Sequence, residues 1–167
     1  MNQNIFISYS RREVGFVDKL VDHLEGETFN VWLDYRSLVP GKPWEEQIND
    51  GIKNSNIILL VVSKASVASD NVEFEWRQVL KEKKKRIILL VFEAVDLPPE
   101  LEKYEWVDFR GNYKNALKEL DRQLQMPEQE KHSAPEAGFK IPSIVWLAFF
   151  LSLILSIISI AAVWTLF

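Results

Sequence analysis

The chain has 167 residues, 47% hydrophobic and 26% charged, which is enough for one domain of ordinary size and an appendage but not for two independent cores. It has no cysteine and only two histidines, His23 and His132, so we expect neither a disulfide framework nor a thiolate or histidine metal site. The formal net charge is −4, and the marked basic run, residues 81–86, falls at the end of a predicted helix where cations are favourable, so we expect no nucleic acid partner.

Apolar runs and helical spacing in the first part of the chain predict three strands with helices between them. The predicted strands cover residues 5–7, 31–33 and 57–62. The last of these is a continuous apolar run, which is typical of a central parallel strand that is buried on both faces. The helices are predicted through residues 16–24 and 44–53, and the loop 34–43 contains Pro40-Gly41, a pair that favours a turn.

The second part of the chain continues the same alternation. It predicts a helix over 71–84, strands over 87–92 and 106–109, and a closing helix over 113–124. Residues 1–126 are therefore expected to form an α/β domain, a flavodoxin-like, doubly wound sheet of five parallel strands with helices on both faces. In such sheets ligands bind beyond the carboxyl ends of the strands, so the loops 9–13, 34–43 and 63–75 are the places to look for a site.

The last residues have a different composition. Residues 141–167 contain no charged side chain, and about 20 apolar residues suffice for a transmembrane helix. Trp146 and Trp164 would lie ~27 Å apart, near the two interfaces of a bilayer. We therefore predict one C-terminal membrane helix, as a tail anchor or in a chain that continues beyond it, preceded by a polar linker over 127–140. Since no signal sequence precedes the domain and cysteine is absent, we expect a cytoplasmic head on a single-pass membrane protein.

Several familiar catalytic motifs are missing from the sequence. It has no GxxxxGK[ST] phosphate loop, no GxGxxG turn and no GxSxG nucleophile elbow. A phosphate-receiver domain would need an aspartate after the third strand, where this chain has Ser63. Nucleotide hydrolysis of the usual kind, Rossmann redox chemistry and serine hydrolysis thus lack their usual groups.

Four short motifs occur in the order that one family uses. They are Ser8-Tyr9-Ser10 after the first strand, Pro40-Gly41-Lys42 before a helix, the serine-x5-serine-x5-glutamate spacing of Ser63, Ser69 and Glu75, and Trp106 with Phe109 in the last strand. Together they resemble the boxes of the Toll/interleukin-1 receptor (TIR) domain, the last in its looser bacterial form. The resemblance covers about residues 3–125 and indicates a bacterial type of TIR domain.

The resemblance implies two possible functions. Many members of the family cleave NAD at the nicotinamide–ribose bond with the glutamate that matches Glu75, and others only recruit partners through TIR–TIR contacts. It implies Pro40, Gly41 and Lys42 as an interaction loop. For the substrate NAD, which is not a resident cofactor, it implies a set of binding residues: Tyr9, Ser10, Arg11, Asp34, Arg36, Ser63, Ser69 and Asn71. Asn71 stands where NAD-cleaving members often have an aromatic residue, four positions before the glutamate.

The chemistry explains why one carboxylate can suffice. Breaking an N-glycosidic bond builds positive charge on the ribose, which a nearby carboxylate stabilises. Nicotinamide leaves as a neutral molecule and needs no acid. The plainer interpretation is that Glu75, like Glu73, lies on the polar face of a helix, although two residues along a helix point to different faces. Arg11 and Arg12 could equally face solvent, and Trp44 is expected in the core or at a subunit contact.

Two hypotheses follow from these observations. The first is a membrane-anchored NAD glycohydrolase, with a possible ADP-ribosyl cyclase activity, that acts in innate immune signalling when its heads cluster into homo-oligomers. The second is a non-catalytic membrane adaptor that binds other TIR domains. Asn71 favours the adaptor, and the spacing of Glu75 favours the enzyme.

Overall fold

The computed structural model describes residues 3–82 and 84–126, and its centre is a sheet of parallel strands. The strands are β1 Asn4–Ser8, β2 Asn30–Trp32, β3 Ile57–Val62, β4 Arg86–Val91 and β5 Glu105–Asp108. They lie in the order β2-β1-β3-β4-β5, and every neighbouring pair is parallel. The prediction of a five-stranded parallel sheet is confirmed.

The composition of the strands explains their positions. All residues of β3 are buried, as a strand must be when it has neighbours on both sides and helices on both faces. β5, at the edge, alternates between buried and exposed residues, with Val107 buried and Trp106 38% exposed. The apolar patterns of the central and edge strands thus differ as their surroundings require.

Helices cover both faces of the sheet. They are α1 Val14–Gly26, α2 Asp34–Ser37, α3 Trp44–Asn54, α4 Lys64–Val67, α5 Asp70–Val79 and α6 Tyr113–Gln125. Buried residues of α1 and α6 pack in one core cluster with Ile5 and Ile7, while those of α3 and α5 pack in another with Phe6. Because successive residues of a strand point to opposite faces, β1 serves both cores.

The helix predicted over 71–84 is shorter than expected. α5 ends at Val79, because Arg86 is already in register with Ile57 at the start of β4 and the chain must turn before it. The basic run therefore follows the helix rather than ending it. The ammonium group of Lys85 instead donates to the carbonyl oxygens of Lys53 and Ser55, each at 2.6 Å, and so stabilises the C-terminal end of α3.

The strand order reverses at β1. The chain passes from β1 to β2 on one side and returns to β3 on the other, so the crevice that ligands use in this topology opens beyond the carboxyl ends of β1 and β3. Within residues 3–82 and 84–126, no helix is long and apolar enough to cross a bilayer. The predicted linker 127–140 and the predicted membrane helix 141–167 lie outside the described residues.

Candidate active site

A polar cleft of about 420 Å³ opens at the carboxyl edge of the sheet. It is lined by Tyr9, Ser10, Arg11, Arg12, Asp34, Trp44, Ser69, Asn71 and Glu75. These residues come from the segment after β1, the segment after β2 and the start of α5, with Trp44 from the start of α3. The three loops that the sequence singled out therefore each contribute to one cavity.

Glu75 is the buried acidic group of this cleft. Its side chain is only 6% exposed, and its Oε2 accepts a hydrogen bond of 2.5 Å from the hydroxyl of Ser8, the last residue of β1. Burial raises the pKa of Glu75 from its ordinary value of 4.5 to about 7, while the Ser8 hydrogen bond lowers it and the negative charge of Asp34 raises it further. A carboxyl group in this state can carry a charge or a proton near neutral pH.

Ser69 and Asn71 lie at the N-terminal end of α5, the helix that carries Glu75. The hydroxyl of Ser69 accepts from the backbone N–H of Val72 and so caps the N-terminal end of α5. Asn71 is exposed in the first turn, four residues before Glu75, so both side chains lie on one face of the helix. Both residues line the cleft.

Asp34 connects the second loop to the first. Its Oδ1 accepts from the hydroxyl of Tyr9 at 3.1 Å, and its Oδ2 is 3.4 Å from a guanidinium nitrogen of Arg11. The Arg11 side chain is 76% exposed, so its cation lies at the rim while the Glu75 carboxyl lies inside. Within residues 3–82 and 84–126, no cluster of three or more acidic or histidine side chains is arranged to hold a metal ion.

Trp44 and Arg12 are further lining residues. The indole of Trp44 packs against Phe74, with ring centroids 5.2 Å apart, and also forms a wall of the cleft. Trp44 therefore makes the expected core contact and also lines the cleft. Arg12, which from the sequence could equally have faced solvent, lines the cleft beside Arg11.

Ser63 and Arg36 are not among the residues that line the cleft. Ser63 is fully buried, where its hydroxyl accepts from the backbone of Ser66 as the cap of α4 and donates to Glu13 at 2.8 Å. Arg36 lies 3.4 Å from Asp18 and 3.7 Å from Glu25, both on α1. The end of a buried strand leaves Ser63 no access to a ligand, and the ion pairs of Arg36 direct it toward α1.

The loop Pro40-Gly41-Lys42 is exposed and is hydrogen-bonded to a side chain of the following helix, α3. The side chain of Gln47 accepts from the backbone N–H of Val39 at 2.7 Å and donates to the carbonyl oxygens of Val39 and Lys42. Gly41 has a φ of 87°, which a residue with a side chain adopts at a cost. No sequence pattern indicates this role of Gln47, because its partners are backbone groups.

Several solved structures share this fold. The TIR domain of the Toll-related receptor TRR-2 from Hydra magnipapillata is 22% identical, with a TM-score of 0.65 over 74% of this chain and 95% of that one. A TIR-STING receptor from C. gigas, solved with 2',3'-cGAMP, is 22% identical, with a TM-score of 0.60 over 74% of this chain and 39% of that one. The Clostridium botulinum CMP N-glycosidase BcmB is 18% identical, with a TM-score of 0.57 over 72% and 99% of the two chains. At these identities the likeness shows the fold.

A curated relative and a family model complete the comparison. The stimulator of interferon genes protein of Magallana gigas is 23% identical over 149 residues, which are 84% of this chain and 36% of that protein. This chain thus spans about a third of the length of that relative. Animal and bacterial proteins both occur among these matches, so the bacterial type stays a prediction. Residues 5–124 match the family model described as TIR domain. Since that match covers most of the chain, this protein belongs to the TIR domain family.

Proposed function

We propose that this TIR domain cleaves the nicotinamide–ribose bond of NAD and that Glu75 is its catalytic residue. The observation that carries the proposal is a buried carboxyl group, held by Ser8, that faces a polar cleft at the point where the strand order reverses. Burying such a group destabilises the fold, and strongly shifted carboxyl groups in clefts are typical of functional sites.

The charges in the cleft match those of the proposed substrate. NAD has an anionic diphosphate and a cationic nicotinamide ring. Arg11 and Arg12 offer exposed guanidinium groups at the rim, which suit phosphate oxygens. Glu75 offers a carboxyl group in the interior, which suits the cationic end and the ribose attached to it. We infer that the dinucleotide binds with its diphosphate outward and its nicotinamide ribose against Glu75.

The reaction needs one charged group. As the bond between the ribose C1′ and the nicotinamide nitrogen breaks, both electrons go to the ring nitrogen, so that neutral nicotinamide leaves and positive charge develops on the sugar. The Glu75 carboxylate stabilises this charge. Water then adds its oxygen to C1′ and releases a proton to Glu75 or to solvent, which gives ADP-ribose; attack by a nitrogen of the adenine would give a cyclic product instead.

Membrane attachment and clustering belong to the same proposal. We propose that residues 141–167 form a single membrane helix and that the TIR head lies in the cytoplasm as part of an innate immune signalling protein. Anchored heads share a surface, which raises their effective concentration without any new contact. Homo-oligomers of the head would then form when a trigger brings the chains together, and these would be the active form.

The test uses the full chain in lipid vesicles at increasing surface density. Nicotinamide release from NAD should rise with density, and Glu75→Gln should lower the rate by about 100-fold or more, as the removal of one transition-state charge contact does in other enzymes. Glu73→Gln is the matched control, because Glu73 lies on the same helix but pairs with Arg77 at 2.7 Å and does not line the cleft. Equal rates in the wild type and Glu75→Gln would rule out the catalytic role.

A non-catalytic adaptor is the second candidate. The exposed loop from Val39 to Lys42, which Gln47 holds in place, supports it, since a preformed exposed loop suits docking on another TIR head. Asn71 also supports it, because no ring stands at that position to stack on a leaving base. Because one protein of the same fold is a CMP N-glycosidase, CMP should be assayed beside NAD. If clustered wild-type chains cleave neither compound, the adaptor remains.

A further inference from the structure

A second buried carboxyl group lies at the same edge of the sheet but outside the cleft. Glu13 is 7% exposed, and its Oε1 accepts a hydrogen bond of 2.8 Å from the hydroxyl of Ser63, which follows β3. Glu13 is the last residue of a short 3-10 helix, Arg11–Glu13, which follows β1. The Glu13–Ser63 hydrogen bond therefore ties this short helix to the end of the neighbouring strand.

The other end of the short helix is held as well. The hydroxyl of Ser10 accepts from the backbone N–H of Arg12 at 3.3 Å, and the carbonyl oxygen of Ser10 accepts from the backbone N–H of Glu13 at 2.9 Å. Arg11 and Arg12 thus lie between two fixed points. Their side chains are exposed and line the cleft, so the position of this backbone decides where two guanidinium groups stand.

Stability alone is a poor explanation of Glu13. Its second carboxyl oxygen, Oε2, is buried and accepts no hydrogen bond from any group of the described residues. A buried polar atom without a partner destabilises a fold, and an apolar side chain of similar size would avoid this. The Glu13 side chain nevertheless reaches from the short helix to the Ser63 hydroxyl and accepts its hydrogen bond.

We propose that Glu13 is a positioning residue, which through Ser63 holds Arg11 and Arg12 where they bind the diphosphate of a nucleotide ligand. For NAD as the ligand, the positioning role rests on the function proposed above. Since Glu13 acts on binding groups and not on the scissile bond, it should affect ligand affinity and leave the chemical step unchanged. It also gives Ser63 a role in the site without any contact between Ser63 and the ligand.

The variants are chosen to separate this role from folding. Glu13→Ala removes the hydrogen bond, and Glu13→Gln keeps an oxygen that can accept from Ser63. Ser63→Ala removes the same bond from the other side but also uncaps α4. Ser66→Ala is the matched control, because it disrupts the reciprocal capping of α4 while the Ser63 hydroxyl and Glu13 remain. Thermal unfolding of each full-length variant shows that it is folded.

The measurements are the KM and kcat for NAD and the dissociation constant for ADP-ribose, on full-length chains in vesicles. Glu13→Ala and Ser63→Ala should each raise KM and the dissociation constant about tenfold, as expected for a displaced charge-assisted contact, with kcat within about twofold of the wild type. The double variant should be no worse than either single variant, because both remove one bond. Glu13→Gln and Ser66→Ala should stay close to the wild type.

The outcomes separate this proposal from the catalytic one. ADP-ribose binding that weakens in Glu13→Ala and Ser63→Ala supports the positioning role even if the wild type does not cleave NAD. Unchanged KM and binding in both variants overturn the positioning role while NAD cleavage stands. A Ser66→Ala variant as impaired as Ser63→Ala would overturn it too, because the effect would then come from α4. A wild type that neither binds ADP-ribose nor cleaves NAD would overturn both proposals.

Discussion

Glu75 and Glu13 show how two similar side chains obtain different roles from their surroundings. Each is buried and accepts a hydrogen bond from a serine hydroxyl. Glu75 accepts from Ser8, the last residue of β1, and Glu13 accepts from Ser63, which follows β3. Glu75 also lines the cleft, whereas Glu13 does not. A carboxyl group that reaches a cavity can meet a substrate, and one that is enclosed can only hold neighbouring groups in place.

The raised pKa of Glu75 predicts a pH-dependent stability. Because the folded carboxyl, with a pKa of about 7, binds its proton more tightly than the unfolded one at 4.5, the free energy of unfolding should fall as the pH rises from about 4.5 to about 7 and then level off. Glu75→Gln cannot ionise and should avoid this loss. Relative to the wild type it should therefore gain roughly 3 kcal/mol between pH 4 and pH 8.

Urea unfolding of full-length wild type and variant at a series of pH values measures this difference, in which the contributions of the other carboxyl groups cancel. Glu73→Gln, at a half-exposed glutamate of the same helix, is the control and should track the wild type. If the free energies of unfolding of the wild type and Glu75→Gln differ by the same amount at pH 4 and at pH 8, Glu75 is well solvated. In that event the buried site described above would be incorrect.

The sequence contains part of this residue-scale information. The spacing of Ser63, Ser69 and Glu75 and the position of Tyr9, Ser10 and Arg11 after a strand were visible in it, and six of the eight expected substrate-binding residues line the cleft together with Glu75: Tyr9, Ser10, Arg11, Asp34, Ser69 and Asn71. The bonds Ser8–Glu75 and Ser63–Glu13 join positions 67 and 50 residues apart. They depend on how strands and helices pack, which no local pattern reports.

At the scale of elements, the contact between α3 and β2 is unusually close. Gly51 of α3 faces the indole of Trp32, which itself stacks on Phe6 with ring centroids 4.8 Å apart. A Cβ at Gly51 would lie 2.7 Å from Trp32 Cε2. Gly51→Ala should therefore lower the free energy of unfolding by about 1–2 kcal/mol, since overpacking outweighs the better helix propensity of alanine.

Urea unfolding of the full chain measures this effect, and Gly15→Ala is the matched control. Gly15 lies in α1, and a Cβ there would meet no atom within 4 Å, so alanine should leave stability unchanged or raise it by up to about 1 kcal/mol. If Gly51→Ala were as stable as Gly15→Ala, the indole of Trp32 would not be packed against the helix as described.

Every strand of the sheet, and the helices α3 and α6, begin and end within one residue of the predicted bounds. The strands have clear apolar patterns, and α3 and α6 have strong helical spacing. α2 and α4 were not predicted, because helices of four residues are too short to show a period. The end of α5 was wrong because strand register, not helix propensity, decides where the chain must turn.

For the whole molecule, the proposal requires a membrane anchor outside the described residues. We expect full-length protein in cells to stay with membranes through alkaline carbonate extraction, since residues 141–167 have no charge. Replacing Ile154 and Leu155 by lysine should release it, because each central lysine costs about 2.5–3.5 kcal/mol of insertion. Wild-type protein in the soluble fraction would contradict the anchor, and protease digestion of the head from the cytoplasmic side only would establish its orientation.

The central claim is that the Glu75 carboxylate lies against the ribose of a bound dinucleotide. The most direct test is an experimental structure of the full chain with ADP-ribose. We predict a Glu75 carboxyl oxygen within about 2.6–3.2 Å of a hydroxyl of the ribose that carried nicotinamide, with the diphosphate at Arg11 and Arg12. A ligand bound elsewhere, or a ribose in the cleft with Glu75 turned away from it, would contradict the account.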